Sequence, residues 1–191
     1  MIRSQRVCLQ QPIDLNPRMI ILIRHAQSEG NKNRPIHQSV PDHRVKLTPE
    51  GWSQASEAGG RLRSLLRPSD TLHFFTSPYR RARETTSAIP SALTSPPRVP
   101  SCPSPHATSS PKTRLPSPPT FPLAAITVDE EPRLRDQDFG NFQPCSAAME
   151  KMWVDRAEYG LFLNRIPNGE SAADAYDRVS GFMESLWRGW D

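Results

Sequence analysis

Alternating apolar runs and helical stripes extend along most of this sequence and predict a mixed α/β fold. Residues 19–23 form a short, wholly apolar, β-rich run, which is typical of a strand buried on both faces of a parallel sheet. Residues 70–76 and 125–128 predict a second and a third strand. The pattern therefore favours strands that alternate with helices.

Helical periodicity separates these predicted strands. With Thr48 as N-cap and Pro49 at the first helical position, apolar and small residues recur every three or four positions and predict a helix ending near Pro68: Trp52, Ala55, Gly59, Leu62 and Leu66. A second helix is predicted from Arg80 to about Ile89, and a third over residues 149–159. A last apolar stripe over residues 172–190 predicts a helix that contributes to the core.

One stretch interrupts this pattern. Ten of the 21 prolines fall in residues 96–122, and neither a helix nor a strand ladder tolerates that proline density. The sequence predicts a loose N-terminal extension at 1–18 and a domain at 19–191, interrupted by a disordered or polyproline-like insertion at 94–123. Three interpretations of the insertion are open: it is a binding segment for a proline-tract-binding partner, an insert without function, or a translated intron.

Composition and charge narrow the classes of function. The net charge of +4 is mild; it favours anionic substrates and does not indicate a nucleic-acid partner. Cys8, Cys102 and Cys145 are widely spaced, so neither a zinc site nor a disulfide framework is predicted, and a cytoplasmic location is expected. No apolar run approaches the ~18 residues that span a membrane. We therefore expect no membrane association, no metal and no cofactor.

The polar residues that follow the first two predicted strands are candidates for chemistry. Arg24 and His25 come directly after residues 19–23, and Arg80, Arg81 and Arg83 open the helix after the second strand. Ligands of open α/β sheets bind at the carboxyl ends of the strands, and a helix N-terminus attracts anions. Since a guanidinium group matches phosphate oxygens, we expect Arg24 and an arginine of this helix to converge on one anion beside His25.

Three motifs follow one another in the order of a known family. They read RHAQSEGN at 24–31, LTPEGWSQA at 47–55 and SPYRRARET at 77–85. Together they resemble the histidine phosphatase superfamily, the phosphoglycerate mutase-like proteins. The resemblance implies a parallel three-layer α/β/α sheet of the phosphoglycerate mutase-like type. It also implies a phosphomonoester phosphatase that acts on a phosphorylated small molecule through a phosphohistidine intermediate, or alternatively a phosphoglycerate mutase-type phosphotransferase.

The same resemblance implies roles for individual residues. His25 is the implied nucleophile, because a neutral imidazole nitrogen can attack phosphorus near pH 7. Arg24 and Arg81 are implied to bind the phosphate, and Asn31 is implied to donate a hydrogen bond to it. Cations and donors of this kind stabilise the charge on the phosphoryl oxygens during transfer.

The implied proton donor lies after the third predicted strand. Leu134, Asp136 and Gly140 match the family segment L-x-E-x-x-x-G, with aspartate in place of the commoner glutamate. Asp136 is therefore the candidate acid for the leaving oxygen, and Asp138 is the alternative.

The sequence departs from the family in one respect that matters for catalysis. The family carries a second histidine in an SHG or GHG motif on a later strand, whereas no histidine follows Asp136 here. We therefore expect a fold that is incomplete at its C-terminus: a fragment, a truncated gene product or an inactive pseudoenzyme that binds a phosphate ligand. Because the family places that strand between the strands at 20–23 and 72–75, we also expect a gap between them.

Overall fold

A computed structural model describes residues 17–95, 121–140 and 146–190 of the chain. The described helices are α1 (Glu29–Lys32), α2 (Pro49–Leu65), α3 (Arg80–Thr94), α4 (Ser146–Tyr159) and α5 (Ala172–Arg188). The described strands are β1 (Leu72–Thr76) and β2 (Ile126–Glu130). Short 3₁₀ helices at Arg34–Gln38, Asp42–Arg44, Leu123–Ala125 and Pro132–Leu134 lie in the connections.

The sheet and its two helical layers confirm the predicted α/β class. Strands β1 and β2 pair in parallel, from Leu72 opposite Ile126 to Thr76 opposite Glu130. Because neighbouring residues of a strand face opposite sides, Phe74 packs against the cluster formed by α2 and α3, whereas the ring of Phe75 lies 5.3 Å from that of Phe182 in α5. Helices therefore cover both faces of a parallel sheet, which makes three layers.

The strand predicted at residues 19–23 is wrong for this structure. These residues pair with no described strand, and their side chains are exposed, with Leu22 at 91%. The prediction rested on apolar content, but a strand also needs a neighbour to supply ladder hydrogen bonds.

Helices α2 and α3 form the layer that positions the site. As predicted, Thr48 caps α2 by accepting a hydrogen bond from the N–H of Gly51 (3.0 Å), and Pro49 begins the helix. The buried stripe runs through Gly51 rather than Trp52, whose side chain is 42% exposed. A Cβ at Gly59 would lie 2.7 Å from the carbonyl oxygen of Ile89, so this glycine permits the two helices to pack closely.

The boundaries of the predicted insertion at 94–123 need correction. Helix α3 continues past Ile89 through Pro90 to Thr94. On the other side, Phe121 is buried and its N–H donates to the carbonyl oxygen of Leu93 (3.2 Å). Thr94 therefore belongs to helix α3 and Phe121 to the core, while residues 96–120 lie outside the described residues. Residues 1–16 and all three cysteines also lie outside them.

The C-terminal helix α5 is less buried than its apolar stripe predicts. Phe182 is buried, but Tyr176 and Trp187 are more than half exposed. Ser171 and Asp174 form a capping box at its start, which fixes where the helix begins. Among the described residues, no helix is both long and apolar enough to cross a membrane.

Candidate active site

The segment that carries His25 is fixed by backbone contacts to α2 and α3. The N–H of Ala26 donates to the hydroxyl oxygen of Thr85 in α3 (3.1 Å), and the carbonyl oxygen of Gln27 accepts from the N–H of Thr48 (3.0 Å). A Cβ at Gly51 would lie 2.1 Å from that same carbonyl oxygen. The motifs RHAQSEGN and LTPEGWSQA are therefore packed backbone to backbone, and Gly51 makes this approach sterically allowed.

The hydrogen bond made by His25 defines which ring nitrogen can react. Its Nδ1 lies 2.7 Å from the carbonyl oxygen of Ala26. A carbonyl can only accept, so Nδ1 carries the proton in the neutral ring and Nε2 keeps the lone pair. Nε2 lies 3.9 Å from Oδ2 of Asp136, and the side chain of His25 is only 13% exposed. The arrangement presents an unprotonated nitrogen beside a carboxyl group.

Arg81 is the buried cation of this site, and two aspartates neutralise it. Its Nη1 donates to Oδ1 (2.9 Å) and to the backbone oxygen (2.8 Å) of Asp42, while Nη2 donates to Oδ2 of Asp42 (3.1 Å) and to Oδ2 of Asp136 (2.5 Å). Burial alone would lower the pKa of this guanidinium, but the hydrogen bonds that it donates to Asp42 and Asp136 outweigh burial and raise its pKa. Arg81 therefore stays charged.

The neighbouring arginine is excluded from the site. Arg80 is exposed, and its Nε pairs with Glu84 at 2.7 Å on the outer face of α3. The structure thus brings Arg81, rather than Arg80, to the carboxylate beside His25.

Asp136 links Arg81 and His25 within the site. Its Oδ2 contacts Arg81 and faces His25, and its side chain is 55% exposed. It follows the short helix Pro132–Leu134, and Arg178 of α5 holds this segment by donating to the backbone oxygens of Arg133 (2.6 Å) and Asp136 (3.1 Å). An accessible carboxyl group next to a buried histidine is suited to exchanging a proton with a ligand.

A partly buried ion-pair network supports the Asp136 segment. Glu170 accepts from Arg178 at Oε2 (2.9 Å) and pairs with Arg135, and its Oε2 also accepts from the N–H of Asp138 (3.2 Å). Burial would raise the pKa of Glu170, but the hydrogen bonds from Arg178 and Asp138 and the nearby arginine charges lower it overall. Glu170 therefore remains an anion that ties α5 to the site.

Three other candidates do not join the His25 cluster. Arg24 is exposed and makes no hydrogen bond or ion pair with any described residue. Asn31 is also exposed, and its side-chain oxygen accepts from the N–H (2.9 Å) and hydroxyl (3.0 Å) of Ser28, so it caps α1. Asp138 accepts from the N–H of Gly140 (2.8 Å) and thereby stabilises a turn. The predicted convergence of Arg24 with Arg81 is absent from the described structure, because Arg24 belongs to the unpaired segment.

Asp42 is the site residue that sequence reasoning missed. It lies in the short helix Asp42–Arg44 of the loop between the first two motifs, and it holds Arg81 through both carboxylate oxygens. A single aspartate in a polar, proline-broken loop is most often solvated, so the sequence carries no signal for this contact. His37 approaches the same carboxylate, with Nδ1 3.4 Å from Oδ1.

The assembled groups suit chemistry on a phosphate. Among the described residues, no group of three or more potential metal ligands is found. A nucleophilic nitrogen, a buried guanidinium and a carboxyl group that faces both are the parts needed for phosphoryl transfer to histidine.

Comparison with known proteins agrees with this chemistry. The sequence profile of the histidine phosphatase superfamily (branch 1) matches residues 20–101. The chain is 40% identical over 182 residues to the phosphoglycerate mutase-like protein AT74 of Arabidopsis thaliana, covering 93% of this chain and 49% of that protein. It is 34% identical over 233 residues to the broad-range acid phosphatase DET1 of Saccharomyces cerevisiae, covering 90% of this chain and 70% of that protein.

The fold has counterparts among solved structures as well. A mycobacterial glucosyl-3-phosphoglycerate phosphatase solved with VO3 superposes with a TM-score of 0.52 at 18% identity, covering 86% of this chain and 62% of that one. At this identity the likeness concerns the fold alone. The chain spans about half the length of its Arabidopsis relative.

Proposed function

This chain belongs to the histidine phosphatase superfamily, and on that basis we propose that it hydrolyses phosphomonoesters through a phosphohistidine formed on Nε2 of His25. The observation that carries the proposal is the hydrogen bond from Nδ1 of His25 to the carbonyl oxygen of Ala26, which leaves Nε2 free beside Asp136. The acid phosphatase name of its Saccharomyces cerevisiae relative supports hydrolysis over transfer.

The proposed reaction has two displacement steps at phosphorus. A phosphate monoester monoanion displaces Asp136 from Arg81 and passes its proton to the freed carboxylate. The lone pair of Nε2 then attacks the phosphorus, the ester P–O bond breaks, and Asp136 gives that proton to the leaving oxygen. Water then attacks the phosphoryl group, the P–N bond breaks, and Asp136 takes back a proton. Free phosphate leaves and His25 returns to its starting form.

In this proposal Arg81 binds the oxygens of the phosphoryl group in both steps. The carboxylates of Asp42 and Asp136 now occupy its N–H groups, so an incoming phosphate exchanges with at least one of them. Arg24 and Asn31 are proposed to add donors once a ligand is bound, since both are exposed. An anion that replaces a carboxylate on Arg81 keeps the buried charge compensated.

A second candidate function is binding of a phosphate ligand without turnover. The neutralisation of Arg81 by two carboxylates favours it. The expected cytoplasmic location and the proline-tract-binding partner of residues 94–123 stay predictions from the sequence.

Trapping of the phosphoenzyme distinguishes these functions. The chain is incubated with a 32P-labelled aryl phosphate and tested for label that is stable to base and lost in acid, as a phosphohistidine is. We expect labelling and slow hydrolysis by the unmodified chain and neither by His25→Ala. His73→Ala is the matched control, because His73 pairs with Asp129 on the sheet and has no role in the proposal.

Each result has a defined meaning. Label that persists in His25→Ala would remove His25 from the nucleophilic role. Phosphate binding that depends on Arg81 but leaves no label on the unmodified chain would favour the binding function instead.

A further inference from the structure

His37 adjoins the carboxylate of Asp42 and has no part in the reaction described above. It belongs to the short helix Arg34–Gln38, and its side chain is 15% exposed. Its Nδ1 lies 3.4 Å from Oδ1 of Asp42, the same oxygen that accepts from Nη1 of Arg81 (2.9 Å). His37, Asp42 and Arg81 therefore form a chain of charged or titratable groups that ends at the proposed phosphate-binding cation.

Packing holds the ring of His37 in this position. A Cβ at Gly30 of α1 would lie 2.5 Å from Nε2 of His37 and 2.9 Å from its Cε1. Gly30 is itself buried, so the absence of a side chain there makes the room that the ring occupies. The ring is thus held against α1, with Nδ1 close to the carboxylate of Asp42.

The Nδ1 atom of His37 has a charged neighbour but no hydrogen bond. It is buried and has no hydrogen-bond partner among the described residues. A buried polar atom without a partner is costly, whereas a charge-assisted N–H···O bond is favourable at about 2.7–2.9 Å. A shift of roughly 0.5 Å would bring a protonated ring to that distance from Asp42. The geometry therefore suits an ion pair that forms when His37 gains a proton.

The charge of His37 acts first on Asp42. In the part of the chain that the structure describes, Asp42 is the one acidic group within ion-pair distance of His37. Glu29 of α1 pairs with Lys46 instead (3.4 Å). The remaining charged or titratable side chains of α1 and of the two short helices are exposed, namely Lys32, Arg34, His43 and Arg44. On the side of α3, Arg81 is reached through Asp42.

We propose that His37 is a positioning residue that sets, through Asp42, the affinity of Arg81 for phosphate. With His37 neutral, this cluster of one arginine, two aspartates and a histidine has a net charge of about −1, and Asp42 binds Arg81 with its full charge. Protonation brings the net charge to about 0 and shares Oδ1 of Asp42 between His37 and Arg81. Since histidine changes its charge between about pH 5 and pH 8, phosphate binding should tighten in mild acid. This inference rests on the proposed function for the role of Arg81.

Titration with sulfate at about pH 5 and at about pH 8 tests the inference without requiring turnover. Sulfate is a tetrahedral dianion whose own charge does not change in this range, so a change in affinity reports the protein. We expect the unmodified chain to bind sulfate more tightly in acid. That tightening should be about threefold to tenfold larger than in His37→Gln, which is the usual size of coupling within one ion-pair network. His43→Gln is the matched control, because His43 is exposed and follows Asp42 directly; it should keep the full tightening.

The Asp42→Asn background shows whether His37 acts through Asp42. Asp42→Asn alone should reduce the tightening in acid to the level of His37→Gln, and adding His37→Gln should then change nothing further. If one of the two single variants does not fold, the other still tests the coupling against the unmodified chain. An equal effect of His37→Gln in both backgrounds would overturn the inference, because His37 would then act on the anion directly.

Three other results would also overturn it. They are a pH dependence that is the same in the unmodified chain and in His37→Gln, sulfate binding that survives Arg81→Gln, and a lack of sulfate binding at both pH values.

Phosphoenzyme labelling separates this inference from the proposed function. Sulfate binding that depends on His37 and Asp42, found together with no labelling, supports the role of His37 and argues against hydrolysis. Labelling of His25 together with a pH dependence of sulfate binding that His37→Gln leaves unchanged supports hydrolysis and overturns the role of His37.

Discussion

Replacing Asp42 by asparagine tests how the chain controls its own phosphate-binding cation. Asparagine has nearly the shape of aspartate but lacks its charge, and one side-chain oxygen can still accept from Arg81. The side chain of Arg81 is 6% exposed and that of Asp42 is 29% exposed. The substitution therefore removes one of two anions from a mostly buried guanidinium.

Two effects of opposite direction follow from these contacts. Stability should fall, because Arg81 loses a charge-assisted hydrogen bond and part of its compensation; the loss is about 1–3 kcal/mol, since the partial exposure of Asp42 screens the pair. Phosphate affinity should rise, because the cluster of Arg81, Asp42 and Asp136 changes from a net charge of about −1 to about 0. A gain of about 1.4 kcal/mol corresponds to tenfold tighter binding.

The two quantities are measured on the same variant, stability by urea unfolding and affinity by titration with inorganic phosphate. Asp70→Asn is the control: Asp70 pairs with Arg18 at the surface, so phosphate affinity should be unchanged. If Asp42→Asn weakens phosphate binding along with stability, then Asp42 positions Arg81 for the ligand, and the reasoning that it competes with the ligand is wrong.

Three further predictions concern the scaffold. Gly51→Ala should destabilise the fold by roughly 1–3 kcal/mol, because its Cβ would meet the Gln27 carbonyl. Gly60→Ala on the same helix is the control: its Cβ would have nothing within 4 Å, so it should stabilise the fold by about 0.5–1 kcal/mol. Both changes are measured by urea unfolding. Glu170→Gln should lower the free energy of unfolding by about 1–2 kcal/mol at neutral pH. Because the pKa of Glu170 is lowered from 4.5, the stabilisation by its carboxylate is present above that value and is lost as the pH falls through the pKa of the folded state. The two proteins should therefore become equally stable in acid, and a difference that does not change with pH would contradict the argument. Leu22→Ser should reduce binding of a hydrophobic dye and leave the thermal midpoint unchanged, because Leu22 is 91% exposed; a lower midpoint would mean that this residue is packed.

The parts of the fold that were predictable from sequence are those that local chemistry determines. Thr48 and Pro49 mark the start of α2 because capping and a fixed φ act within one turn. The sequence motif SPYRRARET predicted the position of Arg81 at the start of α3. In the structure, Arg81 lies beside Asp136, the carboxylate that faces His25. The parallel pairing of β1 with β2 follows from two apolar runs separated by a helical crossover.

The remaining features depend on contacts between distant residues. Residues 19–23 have the composition of a strand but no described partner to pair with. Asp42 contacts Arg81, which lies 39 positions later in the sequence. Nothing in the surrounding loop sequence distinguishes Asp42 from an ordinary solvent-exposed aspartate. Phe121 lies in a stretch whose proline content suggested an insertion, yet it packs with Leu62, Ile89 and Leu93.

The hydrogen bond between Phe121 and Leu93 joins two residues on either side of the proline-rich residues 96–120. Both residues belong to one core cluster, so the two ends of the interval between them lie side by side. The entropy of closing a flexible loop grows only with the logarithm of its length, and each doubling costs about 0.6 kcal/mol. Added residues between Leu93 and Phe121 should therefore lower the stability of the fold only slightly. For the same reason, the interval between Leu93 and Phe121 is the place to insert a reporter peptide or a protease recognition sequence.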